Sequence, residues 1–102
     1  MNPPELRRLE EKLTKEVLWL YLLSILSEKD AHGYVLRKQI MEKFGFLPGN
    51  VTSYVVLYKL ESRGFVSSKM AQNKKIYSIT ASGKKLLKEA EQVFKKKMEM
   101  VF

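Results

Sequence analysis

Three observations predict a mainly helical chain carrying one small β-hairpin, an α+β arrangement. First, residues 50–63 run without a breaker between a Pro-Gly pair (Pro48, Gly49) and Gly64, so one short helix fits between them. Second, two short runs follow directly, residues 65–70 and 75–79. They are rich in β-branched and aromatic residues and are separated by the polar tip Ala71-Gln72-Asn73-Lys74, which is a hairpin pattern. Third, apolar residues recur at spacings of three and four on both sides of this unit, which predicts flanking amphipathic helices. A helix followed at once by a hairpin is the second half of a winged helix-turn-helix. One domain is expected over residues 1–102, with a winged-helix core at 14–80 and a C-terminal dimerisation helix at 81–102.

The charge is local. The chain holds 19 Lys and Arg against 11 Asp and Glu, a net of +8. Residues 1–58 hold 8 basic and 7 acidic side chains, and residues 89–102 hold 3 of each. Residues 59–88 hold 8 basic and 1 acidic, so nearly all the excess lies in the second half of the third helix, the hairpin and the start of the last helix. A local positive field is what a polyanion-binding face needs. A solvated lysine-rich surface is the plain alternative, but the charge falls on the motif, which favours nucleic acid.

Composition removes several functions. The absence of cysteine excludes a disulfide framework, a thiolate zinc site and a cysteine nucleophile. The first 13 residues are charged and lack the apolar stretch of a signal peptide. The longest apolar run, residues 17–23, falls short of the ~20 residues of a membrane span. A cytoplasmic protein without a membrane partner is expected. A domain of this size buries only about two-thirds of its unfolded surface, so oligomerisation would add to a small core.

Taken in order, the chain opens with a helix start. Asn2 can cap it, Pro3 and Pro4 suit its first turn, and Glu5 suits its positive end. Nothing breaks the pattern before Lys29-Asp30, and Leu6, Leu9, Leu13, Val17 and Leu20 form one stripe. Alternatively, residues up to about Lys12 form a tail and the helix begins near Thr14. Over residues 17–26 apolar side chains surround the helix, so it is buried on several faces. Val17, Trp19 and Leu20 are the candidates for contact with a second chain. The next helix runs from Ala31 to about Phe44 and stops at Gly45. Its inner face is Tyr34 or Val35 with Leu36, Ile40 and Phe44, while Arg37, Lys38, Glu42 and Lys43 face water. His32, the single histidine, has no metal-binding or catalytic company and is expected to cap this helix.

In the third helix Val56, Leu57 and Leu60 are expected to face inward. Thr52, Tyr54, Val55, Tyr58, Lys59, Ser62 and Arg63 lie around the outside, a mixture able to reach phosphates, base edges and thymine methyls. Plain packing with the hydroxyl in water is the alternative for Tyr54 and Tyr58. The DNA-contact candidates are Thr52, Ser53, Tyr54, Tyr58, Lys59 and Arg63 on the helix, with Lys69, Asn73, Lys74 and Lys75 on the hairpin. Val66, Met70, Ile76 and Ile79 are expected to be the inner hairpin positions. Thr80 caps the last helix, with Gly83 in its first turn. Its stripe of Leu87, Ala90, Phe94, Met98 and Val101 reads as an oligomer seam. A membrane-surface role is disfavoured because Glu89, Glu91 and Glu99 dilute the positive charge.

In this order of motifs the chain resembles the PadR family of winged-helix transcriptional regulators. The matching pieces are His32-Gly33-Tyr34; a Pro-Gly turn leading to Tyr54, Leu57 and Leu60-Glu61; Gly64-Phe65-Val66; Lys75-Ile76-Tyr77; and Thr80-Ala81-Ser82-Gly83. The match covers about residues 17–87, and the single C-terminal helix looks like the short branch of the family. Val55 stands where the family often has proline and Ser53 where it often has leucine, so the recognised DNA sequence does not carry over. The resemblance implies a homodimeric regulator of double-stranded DNA, usually a repressor acting on a palindromic operator, paired through its first and last helices. Some members sense a small aromatic effector near the dimer interface, where Trp19, Tyr21 and Phe94 would line such a pocket; plain core packing is the alternative for these aromatics. The alternative from another class is a winged-helix module that binds an acidic protein. No catalytic constellation, phosphate-binding glycine loop or metal-ligand cluster is present, so neither an enzyme nor a cofactor is expected.

Overall fold

In the computed structural model, which describes residues 3–102, nine elements follow one another. They are α1 (Pro4–Lys12), a 3-10 turn (Lys15–Val17), α2 (Leu18–Glu28), β1 (Ala31–His32), α3 (Gly33–Phe44), α4 (Asn50–Ser62), β2 (Val66–Ala71), β3 (Lys74–Ile79) and α5 (Ala81–Val101). The strands form an antiparallel sheet in the order β1-β3-β2. This is the expected α+β winged helix with a long C-terminal helix.

The core forms where α2, α3 and α4 meet the inner face of the hairpin. Leu18, Leu22, Leu23, Ile25 and Leu26 come from α2, Leu36 and Ile40 from α3, and Leu57 and Leu60 from α4; Val66 and Tyr77 come from the strands. Burial of each such aliphatic side chain stabilises the fold by about 1.5–3 kcal/mol. The loop from α3 to α4 is fixed from within: Arg37 is half-buried and its Nε donates to the Pro48 carbonyl at 2.9 Å. Arg37 is therefore a brace for the turn, and not the solvated side chain expected from its place between polar neighbours.

The first helix is not continuous. α1 ends at Lys12 and α2 begins at Leu18, which corrects both readings of the sequence: residues 4–12 are helix and not a tail, and the helix does not run unbroken to Lys29. Thr14 turns its hydroxyl back onto the carbonyls of Glu10 (3.0 Å) and Glu11 (3.2 Å), a bond that competes with the helical ladder and bends the chain. The Tyr21 hydroxyl then donates to the freed Leu13 carbonyl, and the Lys12–Glu16 ion pair (2.6 Å) spans the break. The cap expected at Asn2 lies outside the described residues, and Pro3 holds the N-cap position of α1. α1 buries no side chain, so the stripe of Leu6, Leu9 and Leu13 stays exposed.

The hairpin is also tighter than expected. Its turn is the pair Gln72-Asn73, both at positive φ (52° and 61°), the two-residue turn whose twist suits flanking strands. The register pairs Val66 with Ile79, Ser68 with Tyr77 and Lys69 with Ile76. Alternation therefore puts Val66, Met70, Tyr77 and Ile79 on one face, but Met70, expected to be an inner position, lies out towards the tip and is exposed. Ile76 and Ile79, three apart, do not share a face. β1 is a strand that no sequence pattern announces: Ala31 and His32 pair with Tyr77 and Ile76 along the edge of β3. His32 occupies the N-cap position of α3 but makes no capping bond; its ring stacks on Tyr34 instead, with centroids 6.0 Å apart. At the base of the hairpin the Thr80 hydroxyl accepts from the Gly83 amide (3.1 Å) and donates to the Gly64 carbonyl (2.6 Å), the expected cap.

Candidate nucleic-acid interface

The exposed crest of α4 is the centre of the candidate face. Val51, Val55 and Tyr58 stand on it, with Thr52 and Lys59 beside them, all exposed. These positions follow from the helix period, because Leu57 and Leu60 take the opposite side into the core. Ser53 is the exception in the expected contact set. It is 1% exposed and its Oγ donates to the Gly49 carbonyl at 2.7 Å, so it faces the core and cannot reach a ligand. A hydroxyl satisfied one turn back is compatible with burial, and polarity alone gave no sign of this.

The remaining helix candidates divide between two flanks. Tyr54 faces α3 and the wing, bordering a notch of about 200 Å³ with His32, Gly33, Tyr34, Lys74, Lys75 and Tyr77. Lys59 and Arg63 face the other way. They rim a cleft of about 550 Å³ whose walls include Trp19, Leu60, Phe65 and Leu86. Of the two candidates for the inner face of α3, Val35 packs against the core and Tyr34 is exposed, with the Lys74 Nζ 5.1 Å from its ring centroid. Sequence reasoning passed over Tyr34 and Val51 as members of this face; both sit at helix starts, where the apolar period has not yet been established.

The wing lysines diverge by strand alternation. Lys69 and Lys74 lie on the outer face of the hairpin and Lys75 on the other, with Asn73 exposed at the turn. Lys75 Nζ is 3.4 Å from Glu61 Oε1 and 5.7 Å from the Tyr77 ring centroid. Glu61 also accepts from the Ser68 hydroxyl, so one carboxylate joins α4 to both strands. The Ser68 bond holds the Glu61 carboxyl below its ordinary value, and the Lys75 charge adds to this. A lowered folded value means that the linkage stabilises above the unfolded pKa and is lost as pH falls through the folded one. Ser68→Ala is expected to raise the Glu61 midpoint in an NMR acid titration and to cost about 1 kcal/mol or less at neutral pH, because the pair is partly solvated. An unmoved midpoint would show that Ser68 does not set it. Burial pushes the Tyr77 phenol upward, so it stays protonated.

The expected dimer residues also separate. Leu20, Leu87 and Phe94 line one groove between α2 and α5, of about 580 Å³. Val17 and Ala90 are half-buried, whereas Phe94, Met98 and Val101 are 38%, 59% and 73% exposed. Trp19 turns away from this groove into the cleft beside Lys59 and Arg63. Tyr21 packs edge-on against Phe44 and Phe46, at 4.9 and 5.0 Å. The three aromatics expected near an effector therefore occupy three different places in the fold. Among the described residues no helix is long and apolar enough to cross a membrane.

Residues 22–89 match the model of the transcriptional regulator PadR-like family. The fold is similar to that of a PadR family transcriptional regulator from Eggerthella lenta DSM 2243, with 26% identity and a TM-score of 0.78 over 94% of this chain and 84% of that one. It is also similar to a PadR family transcription regulator from hypervirulent Clostridium difficile R20291, with 29% identity and a TM-score of 0.72 over 79% and 90% of the two chains. A third similar structure is Bacillus subtilis PadR in complex with operator DNA, with 29% identity and a TM-score of 0.66; it covers 72% of this chain and 45% of that chain. No curated protein matches the sequence.

Proposed function

The chain belongs to the PadR-like family of transcriptional regulators, and from that premise we propose that it is a homodimeric repressor that binds a palindromic operator in double-stranded DNA. The observation that carries this reading is a coincidence of position. The stretch that holds the excess charge, residues 59–88, contains the end of α4, the whole wing and the start of α5. The operator complex of Bacillus subtilis PadR supports it from outside the chain.

In this reading the crest of α4 enters the major groove, where Thr52, Tyr54 and Tyr58 meet base edges. Lys59 and Arg63 flank the groove. Lys69, Asn73, Lys74 and Lys75 anchor the wing on phosphates or at the minor-groove edge. A two-fold dimer places two such helices on half-sites spaced by about one helical turn or a multiple of it. Repression follows from occupying the promoter.

Titration of operator variants, first recovered by pull-down of bound DNA, separates reading from anchoring. For a dimer that neutralises about 8 phosphates, log K falls with log salt with a slope near −7. Tyr58→Ala is expected to relax preference at particular base pairs by about 1–3 kcal/mol at fixed salt. Lys74→Ala is expected to weaken all sequences alike and to reduce the slope by about 1 for each phosphate it no longer neutralises. If the lysine variant alters which base is preferred and the tyrosine variant weakens every site equally, the docking is reversed. A flat salt response, with affinity never above the non-specific level, would favour a module for an acidic protein.

A further inference from the structure

We propose that Gly33 is a positioning residue for sequence readout: its bare Cα is the seat that fixes where the Tyr54 ring stands on the DNA face. A Cβ built on Gly33 would lie 2.5 Å from Tyr54 Cε1, 2.9 Å from the Tyr54 hydroxyl oxygen and 3.0 Å from Cζ. The ring thus occupies the space that any other residue would need. The backbone conformation does not require glycine here. Gly33 is the first residue of α3, a regular helix in which glycine is a poor former, and it is absent from the residues with positive φ.

The seat decides the direction of the ring. Tyr54 lies on the flank of α4, 41% exposed, with the start of α3 on one side and Lys74, Lys75 and Tyr77 of the wing on another. The obstacle to a Cβ at position 33 is the far end of a flexible side chain. Rotation about χ1 of Tyr54 clears it without moving backbone, and that rotation takes the phenol away from its present place. A side chain at position 33 therefore changes what α4 presents while leaving the fold in place. Gly33 touches no base itself; it acts through Tyr54. The inference rests on the proposed DNA reading, in which Tyr54 meets base edges.

The test is a double-mutant cycle on the full chain, with wild type, Gly33→Ala, Tyr54→Ala and the double variant titrated against matched operator variants at fixed salt. Gly33→Ala is expected to lose about tenfold of discrimination, at the same base pairs as Tyr54→Ala, which is the size of one specific contact. The double variant should lose no more than either single one, and the salt slope should be the same in all four. A merely structural role for Gly33 would weaken every sequence alike. If Tyr54→Ala shifts preference while Gly33→Ala leaves it within about twofold, the inference is overturned and the DNA reading stands. Unchanged discrimination in Tyr54→Ala also overturns it. If wild type discriminates among no sequences, the DNA reading itself fails, and the inference with it. Should Gly33→Ala fold poorly, removing the ring in the double variant must restore its thermal midpoint; a double variant as unstable as the single one places the clash elsewhere and overturns the seat.

Discussion

Replacing Phe94 and Met98 together with glutamate is expected to convert the proposed dimer to monomer and to lower operator affinity by roughly 10²–10⁴-fold, the factor by which two linked half-site contacts exceed one. Met98 is 59% exposed on the outer half of α5, and Phe94, 38% exposed, lines the open groove between α2 and α5. α1 offers a second apolar stripe with nothing buried beneath it. Left in water, two such stripes make the kind of contiguous patch that soluble proteins cover by association. Two carboxylates on one seam, facing their own copies across a two-fold axis, meet like charge in a desolvated contact, which costs several kcal/mol. Light scattering reads the mass and anisotropy reads the affinity. A dimer mass that survives both substitutions would place the seam elsewhere.

Gly83→Ala is expected to destabilise the fold by about 3 kcal/mol or more, and so to lower Tm by roughly 12 °C or more in a domain of this size. At an exposed helical position the same change stabilises by up to about 1 kcal/mol, because alanine is the better helix former. Here the opposing effect is larger. A Cβ on Gly83 would sit 2.1 Å from the Phe65 carbonyl oxygen and 2.7 Å from Ile79 Cγ1. The carbonyl cannot retreat freely, since it accepts from the Thr80 amide at 3.2 Å. The start of α5 would have to lift from the hairpin, taking the Thr80 cap with it. A thermal melt by circular dichroism measures the loss. A change below about 1 kcal/mol would mean that α5 shifts without penalty, against this account of its docking. Gly33 differs in kind: there the obstructing atoms belong to a side chain, so the backbone can stay.

Much of this architecture was legible in the residues. α4 between Pro48-Gly49 and Gly64, the hairpin, the Thr80 cap and the end of α3 at Gly45 all carry local punctuation, and local signals survive folding because nothing opposes them. What was hidden depended on partners distant in sequence or on a bond local to one side chain. Residues 13–17 continue an apolar stripe, and the break shows only when Thr14 bonds backward and Tyr21 takes the Leu13 carbonyl. β1 exists because β3 has an open edge beside it. Ser53 looked like a surface hydroxyl until its bond to Gly49 accounted for it. The pair Gln72-Asn73 is a weak turn signal, yet it sets the register that puts Tyr77 and Ile79 opposite Ser68 and Val66. For the proposed DNA face, the charge distribution points to a region, but the division of Tyr54 from Lys59 and Arg63 onto opposite flanks required the packing of α4 on its neighbours.

The closure at the foot of the hairpin has an evolutionary consequence. The Thr80 hydroxyl on the Gly64 carbonyl and the Thr80 amide on the Phe65 carbonyl join the two ends of the wing, so its strands leave and rejoin the body at one fixed point. Whatever lies between is an insert. Doubling the length of a flexible segment costs only about 0.6 kcal/mol in closure entropy. Descendants of this chain are therefore free to lengthen or shorten the wing by residue pairs, which keeps the strand faces in phase. In the proposed docking, the reach of Lys69 and Lys74 along the duplex would drift over generations while α4, the proposed reading helix, stays where it is.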